Sequence, residues 1–307
     1  MKIFVINPGS TSTKIALFID EKPVWVAGAH HTADDLSEFH HVNEQYEYRK
    51  NFILRLLAEA DIPLDFDAVI ARGGLLKPTP GGVYVINEQM KHDLLNARME
   101  HACNLGALIA DEIARECHCP AYIADPEVVD ELQPVARLTG IPEIERISIF
   151  HALNSKAVSR KYAVSIGKHY EDLNLIVVHL GGGISVGAHC KGRVIDVNNA
   201  LNGEGPFSPE RAGTIPADQF AELCFSGKYT LKQVKKMLNG KGGLTAHLGM
   251  NDVVTIARKA SEGEEPYKGV LDAMLYTVAK RGRGHVCHSP WAGGCHYSDG
   301  RRLLIVI

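Results

Sequence analysis

Two stretches of this chain follow one plan: "IFVINPGSTSTKIALFIDEKPV" from residue 3 and "LIVVHLGGGISVGAHCKGRVID" from residue 175. Each opens with four apolar residues and meets a polar one, Asn7 or His179. Each then passes through small residues, resumes as an alternating strand, makes a tight charged turn and enters a third strand. Strands joined so closely form an antiparallel meander. A fold unit therefore starts near residue 1 and again near residue 173, and that repetition restricts the chain to duplicated folds. At 307 residues the length also fits two domains, taken as 1–170 and 171–307.

The intervening segments supply helices and further strands. From Asn43 to Ala60 apolar residues recur at helical spacing (Tyr48, Phe52, Ile53, Leu56, Leu57), and Asp61-Ile62-Pro63 stops the run. "DAVIA" is a short strand ending at Arg72-Gly73-Gly74, Leu105 to Cys117 reads as a packed helix, and "AYIA" is a strand closed by Asp125-Pro126. A helix is expected from Ala152 to Lys168. Meanders followed by alternating strands and helices, twice over, imply an α/β protein of two related domains with an interdomain cleft. Pockets favour such interfaces, so the loops 7–14 and 180–185 are expected to face the cleft from opposite sides.

The first loop looks oversized, because a hairpin needs only two to five loop residues. Backbone N–H groups of glycine-rich turns can converge on a phosphate without a local cation. Gly9, Ser10, Thr11, Ser12 and Thr13 form one such loop with Lys14 at its end, and Gly181, Gly182, Gly183 and Ser185 form the other. Two loops of this kind fit a polyphosphate. A formal net charge of -3 offers no basic field for nucleic acid or anionic lipid, which leaves small molecules as partners. The short apolar start and the lack of a membrane-length apolar run point to the cytoplasm. Seven cysteines without framework spacing are expected to be reduced thiols.

The better-known nucleotide motifs are missing: no G-x-x-x-x-G-K-[ST], no G-x-G-x-x-G opening a helix after a strand, no "HRD" or "DFG". Phosphoryl transfer needs positive groups around the equatorial oxygens, a metal and in-line positioning, with no protein nucleophile. Arg72 and Arg211 suit the first role through their planar guanidinium groups, against the plainer reading of solvated loop arginines. Asp125 could hold Mg²⁺ through water or make an Asx turn. His151 and His179 could donate to a phosphoryl oxygen or serve the structure alone.

With these residues in view, the sequence resembles the butyrate kinases, within the acetate and butyrate kinase family of the actin, sugar kinase and Hsp70 superfamily. The matching stretches are "VINPGSTSTKIALF", "ARGGLLKPTPGGVYVIN", "IADPEVVDELQPVARLTG", "FHALNSKAVSRKYA", "VVHLGGGISVGAH", "NNALNGEGPFSPERAGTIP" and "GGLTAHLGMND". The resemblance implies duplicated ribonuclease H-like domains of the actin-like ATPase type. It also implies conversion of butyryl phosphate and ADP to butyrate and ATP with Mg²⁺, and homo-oligomeric assembly. On this resemblance Asn7 is the phosphate-loop asparagine, Asp125 the active-site aspartate, His151 and His179 the two active-site histidines, and Arg211 the arginine at the transferring phosphoryl group. Arg72 precedes Gly73-Gly74 as in butyrate kinases, whereas acetate kinases place that arginine ahead of a V-V-H-G-G run. A kinase for another short or branched carboxylate, and a catalytically defective remnant, are the alternatives.

The end of the chain departs from the family. After "YTVAK" it reads "RGRGHVCHSPWAGGCHYSDGRRLLIVI", where the family has a helix, a strand, a T-G-G-[IL]-A adenosine turn and a closing helix. Read from the second base with suitable synonymous codons, "RGHVCHSPWAGGCHYSDGRR" gives "GGMCATLPGREAVITRTGGA", so a frame shift near Lys280 is the expectation. A metal site at Cys287, His288, Cys295 and His296 is the poorer alternative, because the spacing suits zinc badly. The altered end is expected to leave an unpaired sheet edge, weaken nucleotide binding, lower activity and promote aggregation.

Overall fold

A computed structural model describes residues 1–9, 12–97, 99–286 and 303–306. The chain divides into two compact units, Met1–Val129 and Asp130–Ile307.

In the first unit β1 (Lys2–Gly9), β2 (Ser12–Ile19) and β3 (Lys22–His30) form the antiparallel meander. Two further strands, β4 (Ala68–Arg72) and β6 (Ala121–Ala124), run parallel to β1, and β5 (Val83–Val85) closes the sheet antiparallel to β6. The strand order is β3-β2-β1-β4-β6-β5. Alternation along β1 and β2 sends Phe4, Ile6, Ile15 and Leu17 into the core. There they meet Ile53 and Leu57 of α1 (Tyr46–Glu59) and Leu105, Ile109 and Ile113 of α2 (Asn104–Glu116). Helix α2 crosses β4 closely: a Cβ on Gly106 would stand 2.7 Å from the Arg72 carbonyl oxygen, so glycine is required there.

The second unit repeats the meander with β7 (Asn174–Leu180), β8 (Ile184–Cys190) and β9 (Arg193–Val197). Its β8–β9 turn, Lys191-Gly192, takes positive φ at both residues, the twist that a two-residue hairpin prefers. Strand β7 is buried on both faces. Leu175 and Val177 pack with Ala163 of α3 (Ala152–Ser165), while Ile176 and Val178 join Ile256 and Met274. The buried ion pair of Lys156 with Glu131, 2.8 Å, ties α3 to the segment before it, and Glu131 also accepts from Val194 N–H at 2.7 Å.

Three expectations are corrected here. The edge of β7 is covered, because β10 (Leu303–Val306) pairs with it in parallel register from Leu303↔Leu175 to Val306↔Val178. The apolar end "LLIV" satisfies the backbone groups that a missing strand would expose. The tail from Arg281, arginine, histidine and glycine rich with little helical periodicity, nonetheless begins as helix: α4 (Tyr267–Val286) carries His285 to a buried place, with Nε2 3.2 Å from the Val186 carbonyl oxygen. Cys103, Cys117, Cys119 and Cys224 are free thiols, but Cys190 is disulfide-bonded, which the spacing of cysteines did not signal. The adenosine turn displaced by the proposed frame shift, and the residues Cys287, His288, Cys295 and His296, lie outside the described residues. Among the described residues no helix is long and apolar enough to cross a membrane.

Candidate active site

In the first unit the candidate residues gather where three parallel strands end. Ile6 pairs with Ala71 and Arg72 pairs with Ala124, so Asn7, Arg72 and Asp125 leave adjacent strands β1, β4 and β6 at nearly one level. Carboxyl ends of parallel strands are where open α/β sheets hold ligands. Exposed Asn7 stands opposite exposed Lys14 across the hairpin.

The loop itself is not oversized. Strands β1 and β2 remain paired through Asn7↔Lys14, Pro8↔Thr13 and Gly9↔Ser12, which leaves Ser10 and Thr11 between them, outside the described residues. Strand β4 pairs with β1 only as far as Ile6, and beyond that point a proline costs no central ladder bond. Beneath the hairpin, fully buried Arg49 donates to Ser12 O at 3.1 Å and to Thr13 Oγ1 at 2.9 Å. Thr13 Oγ1 also lies 2.8 Å from His31 Nε2, and His31 Nδ1 is 3.1 Å from Tyr48 Oη. Burial, with the Arg49 charge second, holds the His31 pKa below its ordinary value.

Asp125 is buried and takes a left-handed backbone, φ 36°. Its carboxylate accepts from Gly82 N–H at 2.9 Å, so the side chain braces a separate loop and makes no local Asx turn through that bond. Two residues on, buried Glu127 forms an ion pair with Arg72. Among the described residues no group of three or more carboxylates, histidines or cysteines could cage a metal. A single carboxylate beside phosphate oxygens is the donor set that Mg²⁺ accepts when a nucleotide carries it, and Asp125 fits that demand.

In the second unit the loop between β7 and β8 is the glycine triplet alone, since Leu180 pairs with Ile184. A Cβ on Gly183 would fall inside the Arg211 guanidinium, which passes directly over that backbone and donates from Nη1 to Ala200 O at 2.7 Å. Ser208 Oγ donates to Gly182 O at 2.7 Å. A stacked pair lies next to the triplet: the rings of His151 and His179 are 3.8 Å apart and inclined by 9°. Asn154 Nδ2 donates to His179 Nδ1 at 2.9 Å, which leaves the ring proton on Nε2, and Ser185 Oγ is 3.2 Å from His151 Nδ1. Of the expected residues, His151, His179, Gly181, Gly182, Gly183, Ser185 and Arg211 thus form one cluster.

Sequence reasoning missed Arg49, Glu127, Asn154 and Ser208. Asn154 follows His151 by three residues at the start of a helix, a spacing that shares one face and could have been noticed. Glu127 shares a short run with Asp125, yet nothing in that run tells that its carboxylate turns inward to Arg72. The second unit also holds a cavity of about 440 Å³ lined by Phe207, Thr214, Thr277, Lys280 and Arg281.

Comparison with known proteins follows the same lines. The acetokinase family matches residues 143–286. The "probable butyrate kinase" of Phocaeicola vulgatus is 90% identical over 97% of this chain and 86% of its own length. Butyrate kinase 1 of Clostridium acetobutylicum is 50% identical over 91% of this chain and 79% of its own. The fold is similar to that of Porphyromonas gingivalis acetate kinase, with a TM-score of 0.74 at 16% identity, covering 93% of this chain and 79% of that one.

Proposed function

As this chain belongs to the acetokinase family, we propose that it is a butyrate kinase, moving a phosphoryl group between ATP and butyrate. The observation that carries the reading is the crossing of Arg211 over Gly183 beside the stacked His151–His179 pair. A guanidinium fixed at a side-chain-free backbone, next to a ring N–H, supplies donors for the charge spread over a transferring phosphoryl group. The names of the two relatives favour butyrate over other short acids.

In this reading Arg211 and His179 Nε2–H stabilise the equatorial oxygens, while His151 stacks against His179 and keeps its ring plane. Asn7, Gly9, Ser10, Thr11, Ser12 and Lys14 hold nucleotide phosphate from one hairpin, and Gly181, Gly182, Gly183 and Ser185 from the other. Arg72 pairs with the carboxylate or acyl phosphate. Asp125 would hold Mg²⁺, which neutralises phosphate charge when bound. The division at residues 170 and 171 belongs to the same reading: it marks where the strand plan begins again. Cytoplasmic residence goes with it, supported by the short apolar start and by the lack of a membrane-length apolar run, and homo-oligomeric assembly is suggested by the family.

The test is formation of acyl hydroxamate from ATP, Mg²⁺ and hydroxylamine across a series of straight and branched acids. Butyrate is expected to give the highest kcat/KM. A higher value for acetate or propionate would reassign the substrate, and nucleotide binding without hydroxamate from any acid would reject the kinase.

A further inference from the structure

We propose that Glu127 is a positioning residue for Arg72, holding its guanidinium at the end of β4 in the orientation that phosphoryl transfer requires. This rests on the reading of Arg72 as a substrate-binding group. The two segments are pressed together: a Cβ on Gly73 would stand 2.5 Å from Pro126 Cβ, so Arg72-Gly73 and Asp125-Pro126-Glu127 touch along their backbones. Glu127 reaches Arg72 from that contact, and its closest approach is to Nε. Arg72 is the last residue of its strand, and the terminal nitrogens of its guanidinium extend beyond the Nε that Glu127 approaches.

The pair is lopsided in a way that structure alone does not call for. The Arg72 side chain keeps 25% of its exposure, whereas that of Glu127 keeps 11%. A part-exposed arginine needs no buried carboxylate to be stable, and burying one carries a desolvation penalty of several kcal/mol. Arg72 is the cation that faces the Glu127 carboxylate, which its own backbone N–H and the Cys103 thiol also approach. The other groups facing it are few. The buried Cys103 thiol approaches from the turn before α2, with His101 Nδ1 behind it at 2.8 Å from Sγ, and Asp125 on the same segment is turned to Gly82.

Removing the carboxylate leaves the Arg72 charge intact and unheld. Ground-state attraction for an anion survives, but alignment does not, which separates kcat from KM. The experiment compares the unaltered chain with Glu127→Gln, Arg72→Ala and the double variant in hydroxamate formation at neutral pH. Thermal melts and the ¹⁵N NMR signal of Arg72 Nε–H, assigned by its loss in Arg72→Lys, are recorded on the same samples. Glu127→Gln should lower kcat on the order of tenfold to a hundredfold, the cost of a misplaced group, without raising the KM for butyrate. It should also add little to Arg72→Ala. The Nε–H signal should shift in Glu127→Gln, because the carboxylate beside it is gone. A wild-type kcat in Glu127→Gln, with Arg72→Ala inactive, would overturn the positioning role and leave Arg72 in place. Equal kcat losses from Glu127→Gln in both backgrounds, together with a lowered Tm, would reduce Glu127 to structural support. Full activity in Arg72→Ala would instead reject the reading of Arg72 itself.

Discussion

The hairpins β1–β2 and β7–β8 share a strand plan and differ in how they offer groups to a ligand. In the first, the ladder runs to Gly9↔Ser12 and the offered groups are side chains, Asn7 and Lys14, held from below by a buried Arg49 network. In the second, the turn is stripped of side chains so that Arg211, coming from a distant loop, can lie on its backbone. One topology thus presents two different turns: one marked by the side chains it carries and one by those it leaves out.

The comparison breaks most sharply at the triplet. Gly183→Ala has to displace Arg211 and should lower kcat on the order of a hundredfold to a thousandfold, the loss seen when one fixed donor to a charged transition state is removed. Steady-state hydroxamate kinetics check it, and near-normal kcat would remove Arg211 from its role. In the first hairpin the expected loss falls on stability. Arg49→Met leaves buried Thr13 Oγ1 and Ser12 O without their donor and should cost about 2–4 kcal/mol, read from urea midpoints.

Acid should separate the two sheets. His189, in β8, is fully buried with Nδ1 2.6 Å from Tyr170 Oη, and burial pulls its pKa from 6.5 to about 3. Below 6.5 the unfolded chain takes a proton that the folded one refuses, so this contribution is whole above 6.5 and is lost as pH falls toward 3. The slope is about 1.4 kcal/mol per pH unit for one such group. His31 shifts in the same direction with less burial, so hydrogen exchange should show β8 amides losing more protection on acidification than those of β2, the loss continuing to lower pH. The reverse order would contradict this. Smaller again is Asn154→Ala, which frees the His179 tautomer and should lower kcat within about tenfold. Smallest is Gly182→Ala: the nearest atom to the new Cβ is Glu210 Oε2 at 3.8 Å, so kcat should barely move, in contrast to the adjacent glycine.

Most of this fold was legible because strand and helix periods are local. "AYIA" became β6 at its expected bounds, the second stretch opened as β7 one residue ahead of Leu175, and the helix expected from Asn43 formed as α1 after one short 3₁₀ turn. The repeated meander was legible for the same reason. The length of the first loop was misjudged because small hydroxylated residues read as loop while the ladder held them in register. Partners such as Glu127 for Arg72, Ser208 for Gly182 and β10 for β7 join residues far apart in the chain. Period and composition hold no record of such pairings.

The central claim is that Arg211, laid over Gly183, acts on a phosphoryl group passing between nucleotide and butyrate. Butyrate-dependent hydroxamate measured for the unaltered chain and for Arg211→Ala tests it directly. The account predicts product that grows linearly with time in the first and drops to the no-enzyme rate in the second, while both variants melt alike. Equal rates from the two chains would contradict it.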